Sequence, residues 1–169
     1  MVSGDINKKI IYDCNGRITE LGLKNSNCKI LPVNSVLIAL NGQGKTRASV
    51  AILKTEAACN QSLVAIVPIM YSEILSKFIF YSLKNLYYKI RDITGQKKRR
   101  GLNMKLVYQL PLPLPPLSEQ HRIVSKVEEL MKKCDELESS IKQGQTYTDQ
   151  LMQSVLRDAL KPGGEKIVE

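Results

Sequence analysis

Short apolar runs separated by turn residues fill the first 70 positions of the chain. The runs occupy residues 9–12, 35–40, 50–53 and 63–67, and each has the length of a single strand. Asn15-Gly16 and Asn41-Gly42 are dipeptides typical of tight turns. This spacing predicts a compact, mainly β half-domain.

The hydrophobic period changes to that of a helix between residues 72 and 93. The apolar positions with this spacing are Leu75, Phe78, Ile79, Leu83, Leu86, Ile90 and Ile93. Gly95 is placed to end the helix. A loop with four consecutive cations follows, and alternating Leu and Pro over residues 110–117 then predict a stiff, extended connector.

A heptad pattern begins after the connector. Ser118 is a suitable N-cap and Glu119 suits the positive end of the helix dipole. The heptad seam consists of Ile123, Val127, Leu130, Cys134, Leu137, Ile141, Leu151 and Val155, with a weak patch at Gly144 and Thr148. One helix cannot bury such a seam alone, so the pattern predicts a partner helix from a second copy or from another protein.

These patterns together predict an α+β fold with two parts. Residues 1–117 form a small mixed β/α domain, residues 118–160 form a long coiled-coil helix, and residues 161–169 are expected to fray. No apolar run is long enough to span a membrane and the N-terminus lacks a secretory pattern, so we expect a cytoplasmic protein.

Positive charge is concentrated in the first part. Residues 1–117 hold 17 Lys and Arg against 6 Asp and Glu, whereas residues 118–169 hold 8 against 10. The net charges are therefore +11 and −2, within a total of +9. A basic body indicates a polyanionic partner, and a basic but merely solvated surface is the alternative.

Few residues in the sequence suit catalysis or metal binding. The four cysteines form no C-x-x-C pair and the chain has a single histidine, so we expect no metal site and reduced, mostly buried cysteines. Residues 39–46 fit a relaxed phosphate-loop pattern, but a β-leaning run follows where a nucleotide-binding loop requires a helix. We therefore predict no catalytic residues, with nucleoside triphosphate hydrolysis as the least favoured hypothesis.

Cations and amides on loops are the candidates for contacting nucleic acid. They are Gln43, Lys45, Arg47, Lys97, Lys98, Arg99, Arg100 and Asn103. The cations suit phosphates, and the two amides suit base edges. We expect neutralisation of the 97–100 run to weaken DNA binding and to reduce its salt dependence.

The junction of connector and helix resembles a known family. Gly101-Leu102-Asn103, followed by the Leu-Pro connector and Ser118-Glu119-Gln120-His121-Arg122-Ile123-Val124, is similar to the end of a target-recognition domain in specificity (S) subunits of Type I restriction-modification enzymes. Residues 42–47 and 58–62 also resemble this family's glycine turn and Asn-Gln strand, so the likeness covers roughly residues 3–140.

The resemblance implies a non-catalytic subunit that recognises double-stranded DNA. In that family two recognition domains, joined by antiparallel helices, each recognise half of a split target. Methyltransferase subunits supply methylation from S-adenosylmethionine, and restriction subunits supply the ATP-dependent, magnesium-dependent reactions.

This chain departs from the family pattern, because it has one recognition domain, which looks incomplete at its N-terminus, and one helix. A homodimer of half subunits would restore the family arrangement. The alternative is a coiled-coil regulator, decoy or gene remnant that occupies methyltransferase subunits without targeting DNA.

Overall fold

The computed structural model describes residues 1–42, 45–94 and 102–160. Six strands lie at β1 (Ile10–Ile11), β2 (Ile30–Leu31), β3 (Val36–Ala39), β4 (Val50–Leu53), β5 (Ala57–Ala58) and β6 (Leu63–Ile66). Five α-helices lie at α1 (Glu20–Lys24), α2 (Glu73–Asn85), α3 (Tyr87–Thr94), α4 (Met104–Tyr108) and α5 (Leu117–Ala159). Short 3-10 turns occupy Ser3–Asn7 and Ile69–Tyr71.

A four-stranded mixed sheet is the centre of the first part of the chain. Its strand order is β1-β4-β3-β6, with β1 parallel to β4 and the other pairs antiparallel. Strands β2 and β5 form a separate antiparallel pair. The four predicted apolar runs are the four strands of the main sheet, which confirms that part of the prediction. The two-residue strands β2 and β5 were not predicted.

Both faces of the main sheet are covered, which explains why its strands are continuous apolar runs without alternation. All four residues of β3 have 0% exposure. Val36 and Ile38 belong to a core shared with α2, α3 and α4, whereas Leu37 and Ala39 belong to a second core shared with the N-terminal segment. The domain therefore has helices on one side of the sheet, and the N-terminal 3-10 turn with the β2–β5 pair on the other.

The single helix predicted over residues 72–93 is in fact two. Helix α2 ends with Leu86 as its C-cap, and α3 begins at the next residue. Ser72 caps the start of α2 by accepting a hydrogen bond from the Leu75 N–H. The apolar period runs across the break because Leu83 and Ile90 pack in the same core.

Helix α5 begins one residue before the predicted start. The Gln120 side chain donates a hydrogen bond to the Pro115 carbonyl at 2.8 Å, and Val124 is 1% exposed. The chain divides into two compact units, Met1–Val124 and Ser125–Glu169, so the first turns of α5 belong to the first unit. The predicted tail at 161–169 lies outside the described residues.

All four cysteines are free thiols, but they are less buried than expected. Cys14, Cys28 and Cys59 are partly exposed, and Cys134 is exposed. No helix in the described part of the chain is both long and apolar enough to cross a membrane.

Candidate nucleic-acid interface

The described residues 41–42 and 45–47, called here the glycine turn, lie between β3 and β4. Gly42 has φ of +147°, a conformation that L side chains rarely adopt. A Cβ on Gly42 would lie 2.7 Å from the Thr46 Cβ and 3.2 Å from the Arg47 backbone nitrogen. Both the backbone angle and the close approach of Thr46 therefore require glycine at this position.

The turn closes a β-hairpin. The Ala48 N–H donates to the Ala39 carbonyl at 2.9 Å, and the Ala39 N–H donates to the Ser49 carbonyl at 3.0 Å. Strand β4 then starts at Val50, so the chain after Thr46 enters a strand. A nucleotide-binding phosphate loop places a helix N-terminus at this point. The hairpin geometry thus argues against the nucleotide-binding hypothesis.

Lys45 and Arg47, the two predicted cations of the turn, are held by their backbone carbonyls. The Lys45 carbonyl accepts hydrogen bonds from the Tyr87 hydroxyl at 2.8 Å and from the Ser49 hydroxyl at 2.8 Å. The Arg47 carbonyl accepts one from Arg91 Nη1 at 3.1 Å. Lys45 is exposed and Arg47 is half-buried. The structure therefore presents the Lys45 ammonium to solvent from a fixed backbone.

Asn103 caps α4. Its Oδ1 accepts a hydrogen bond from the Leu106 N–H at 2.9 Å. Because this oxygen is engaged in the cap, the group of the side chain that could contact a base is its amide nitrogen, which is a donor. Leu102, its neighbour, is 4% exposed and shares the helical core with Ile90.

Five of the predicted contact residues lie outside the described residues. They are Gln43, Lys97, Lys98, Arg99 and Arg100. The segment that contains the four cations joins α3 to α4, and α3 is the helix that contacts the glycine turn.

Lys9 and Lys84 form a further pair of cations that the sequence did not indicate. Lys9 precedes β1, and Lys84 lies in the last turn of α2 with its Nζ 5.4 Å from the centroid of the Phe80 ring. Partial burial, followed by the Lys9 ammonium, lowers the pKa of Lys84. Only the fold brings these positions together.

The N-terminal segment contacts the glycine turn close to Lys9. The Thr46 hydroxyl lies 3.5 Å from Asn7 Oδ1, and the Lys9 carbonyl accepts from the Ile52 N–H at 3.1 Å.

The predicted heptad seam lies along α5. Ile123 and Val127 are half-buried, and Cys134 is exposed. The exposed fractions are 49% for Leu130, 64% for Leu137, 62% for Ile141, 67% for Leu151 and 59% for Val155. The charged residues beside the seam form pairs along the helix, such as Lys133 with Glu129 at 2.8 Å. An exposed apolar stripe of this length is typical of a helix that packs against another helix.

The chain belongs to the family described as the Type I restriction modification DNA specificity domain, which it matches over residues 3–144. It is 29% identical over 147 residues to the specificity subunit of the Type I restriction enzymes EcoR124I and EcoR124II from Escherichia coli, covering 83% of this chain and 34% of that subunit. It is also 37% identical over 60 residues to the EcoDI specificity subunit from Escherichia coli, covering 36% of this chain and 14% of that subunit. The resemblance found in the sequence is thereby confirmed.

The fold is similar to a solved structure, the HsdS subunit from Thermoanaerobacter tengcongensis. The TM-score is 0.61 at 22% identity, over 82% of this chain and 36% of that one. This likeness confirms the predicted α+β fold, in which a small mixed domain is followed by a long helix. The chain spans about a third of the length of EcoR124I/EcoR124II and HsdS subunits.

Proposed function

We propose that this chain is a DNA-binding half of a Type I specificity subunit, and that its first unit contacts one half of a split double-stranded target. The main support is that Lys45 and Arg47 lie on a hairpin turn whose carbonyls are held by α3, in a domain of this family. Cations fixed on a structured turn suit a phosphodiester backbone, because phosphate contacts set the position of a protein on DNA.

The proposal gives the chain no catalytic role. S-adenosylmethionine would be used by methyltransferase subunits, and ATP with magnesium by restriction subunits. Both kinds of subunit would be partners of this chain, and they would bind to a surface of this chain that includes α5. In the described residues, no group of three or more His, Cys, Asp or Glu side chains is arranged to hold a metal ion.

Salt dependence of DNA binding provides the test. The complex of this chain with its methyltransferase subunit is titrated with duplex DNA at several salt concentrations, as the parent and as Lys45→Ala. If Lys45 neutralises a phosphate, the slope of log K against log salt falls by about one. Lys132→Ala is the control, because it removes an equal charge from α5. Lys132 Nζ lies 3.8 Å from Glu136 Oε1 on the same helix.

The results separate the DNA-binding function from its alternative. A reduced slope for Lys45→Ala alone, together with methylation of a split site, supports the proposal. A complex that forms but neither binds specifically nor methylates DNA overturns it in favour of a regulator that only occupies methyltransferase subunits. Neutralising residues 97–100 in the same assay tests the predicted role of that run.

We further propose that two copies of the chain pair antiparallel through α5, with a two-fold axis at Ser139. In this register Leu137 packs against Ile141 of the second copy, and Val127 against Leu151. Cys134 then lies opposite Gly144, and Leu130 lies opposite Thr148. The weak patch therefore meets larger side chains, whereas a parallel pair in register would place Gly144 against Gly144.

An engineered disulfide tests this register. Gly144→Cys in one copy would face Cys134 of the other, so oxidation should produce a dimer cross-linked twice. The parent should not cross-link, because Cys134 in the two copies would be about 15 Å apart at 1.5 Å per residue. Cross-linking of the parent through Cys134 would indicate parallel helices, and a monomeric mass in solution would exclude the homodimer.

A further inference from the structure

Helix α3 contacts the backbone of the glycine turn at two places one helical turn apart. The Tyr87 hydroxyl donates to the Lys45 carbonyl at 2.8 Å, and Arg91 Nη1 donates to the Arg47 carbonyl at 3.1 Å. Residues four apart share one face of a helix, so a single face of α3 holds both carbonyls. The two carbonyls belong to the residues on either side of Thr46, and Gly42 packs closely against Thr46.

The two side chains on α3 also contact each other. The Arg91 guanidinium carbon lies 5.3 Å from the centroid of the Tyr87 ring, within the range of a cation–π interaction. Tyr88 meets the other side of that ring edge to face, with centroids 5.2 Å apart and an interplanar angle of 82°. These ring contacts therefore hold Tyr87 in the orientation in which its hydroxyl contacts the turn.

The backbone that these contacts hold includes unusual conformations. Ala48, the residue that follows the turn, has φ of +66°, in the left-handed region that is unfavourable for a residue with a Cβ. Gly42, at its start, has φ of +147°. Such a turn keeps its shape only where surrounding contacts stabilise it, and the contacts from α3 are of this kind.

From this geometry we propose that Tyr87 and Arg91 are positioning residues for DNA binding: they fix the glycine turn through its carbonyls so that Lys45 and Arg47 meet the DNA backbone in one arrangement. The inference rests on the proposed DNA-binding function. It assigns to α3 a role that does not require either residue to touch DNA. An ordered turn binds with less loss of entropy than one that must be ordered on binding.

Tyr87→Phe tests the inference, because it removes only the hydroxyl. Tyr88→Phe is the matched control, since Tyr88 is 77% exposed and, among the described residues, its ring packs against Tyr87 while its hydroxyl makes no hydrogen bond to the glycine turn. Trypsin cuts after Lys and Arg, so the glycine turn contains two cleavage points of its own. Cleavage after Lys45 and Arg47 is followed by mass spectrometry in the free, full-length protein, at a temperature well below unfolding.

We expect cleavage at these two bonds to be roughly threefold to tenfold faster in Tyr87→Phe, as the loss of one hydrogen bond allows. The thermal unfolding temperature should change little, and Tyr88→Phe should match the parent. Equal cleavage rates in all three proteins would overturn the inference. This measurement involves no DNA, so it is independent of whether the proposed function holds.

DNA titration of the same variants, as complexes with the methyltransferase subunit, completes the test. A positioning role predicts that Tyr87→Phe lowers affinity for DNA severalfold at every salt concentration while the salt slope stays that of the parent. Lys45→Ala, in contrast, lowers the slope by about one. A Tyr87→Phe protein with faster cleavage but unchanged DNA affinity would show that the turn is held for stability alone and would overturn the positioning role. If the parent itself fails to bind DNA, the proposed function is wrong, and the positioning role falls with it.

Discussion

The Ser76 hydroxyl lies 2.6 Å from the Asn34 carbonyl and joins the first turn of α2 to the segment that enters β3. Asn34 has φ of +69° and Ser76 is 0% exposed, so this contact fixes a strained residue from inside the core. The same hydroxyl is 2.7 Å from the Ser72 carbonyl. Because a hydroxyl has one hydrogen, the Ser76 hydroxyl donates to one of these two carbonyls at a time.

Replacing Ser76 by Ala should destabilise the domain by about 1–2 kcal/mol, because a buried carbonyl loses its donor. Chemical denaturation of the full chain measures the loss. Ser82→Ala, at a half-buried position of the same helix, is the control and should cost less. Equal stability of Ser76→Ala and the parent would contradict this account of the contact.

Glu73 gives the stability of the domain a dependence on pH. A hydrogen bond and the charge of Lys54 Nζ, 2.9 Å away, lower the pKa of Glu73, and Lys77 adds to this. A carboxyl with a lowered pKa in the folded state contributes stability above its unfolded pKa of about 4.3 and loses it as pH falls through the lower, folded value.

Glu73→Gln should therefore reduce the free energy of unfolding at neutral pH by less than about 1 kcal/mol, as expected for an exposed ion pair. The difference from the parent should disappear as the pH falls through the lowered pKa of Glu73. Urea denaturation at a series of pH values measures this. Glu56→Gln, at an exposed position, is the control. A difference that grows on acidification would reverse the sign and refute the assignment.

Gly42→Ala should destabilise the β3–β4 hairpin. The added Cβ would meet Thr46 at 2.7 Å in a backbone conformation unfavourable for alanine, and a cost on the order of 1–3 kcal/mol is expected. Gly16→Ala is the matched control, because a Cβ there has nothing within 4 Å. Thermal denaturation compares the two variants, and equal melting temperatures would show that the turn relaxes without cost.

The Lys9 and Lys84 pair should contribute to DNA binding. Replacing both by Gln should lower the slope of log K against log salt by about two, since each phosphate that a protein cation neutralises contributes about 0.9 to that slope. Lys132→Gln with Lys142→Gln removes the same charge from α5 and is the control. A slope unaffected by the Lys9 and Lys84 replacements would place these two residues outside the interface.

The sequence predicted the main sheet well because buried central strands leave an unmistakable apolar run, as at β3 and β4. It predicted α5 equally well from its heptads. The break at Leu86 escaped prediction, since α2 and α3 keep one apolar period across it. Strands β2 and β5 escaped because two residues carry no periodicity. Contacts such as that of Tyr87 with the Lys45 carbonyl depend on tertiary packing that no local pattern reveals.

The glycine turn shows how local chemistry and tertiary packing share a site. Its glycine and its cations were evident in the sequence, and so was their suitability for phosphate. The residues that hold its carbonyls lie on a helix more distant in the chain, where no local pattern marked Tyr87 or Arg91. Cations can therefore be predicted from composition, whereas the side chains that orient them emerge only from the fold.

The parallel pairing of β1 with β4 has a consequence for the order in which the domain folds. Strand β3 pairs with β4 and with β6, which both follow it within about thirty residues of the chain, so these three strands can assemble through comparatively local contacts. Strand β1 must instead close a loop of about forty residues before Ile10 meets Ile52. During synthesis β1 leaves the ribosome before β4, the strand with which it pairs. We therefore expect the first strand of the chain to be the last to join the sheet.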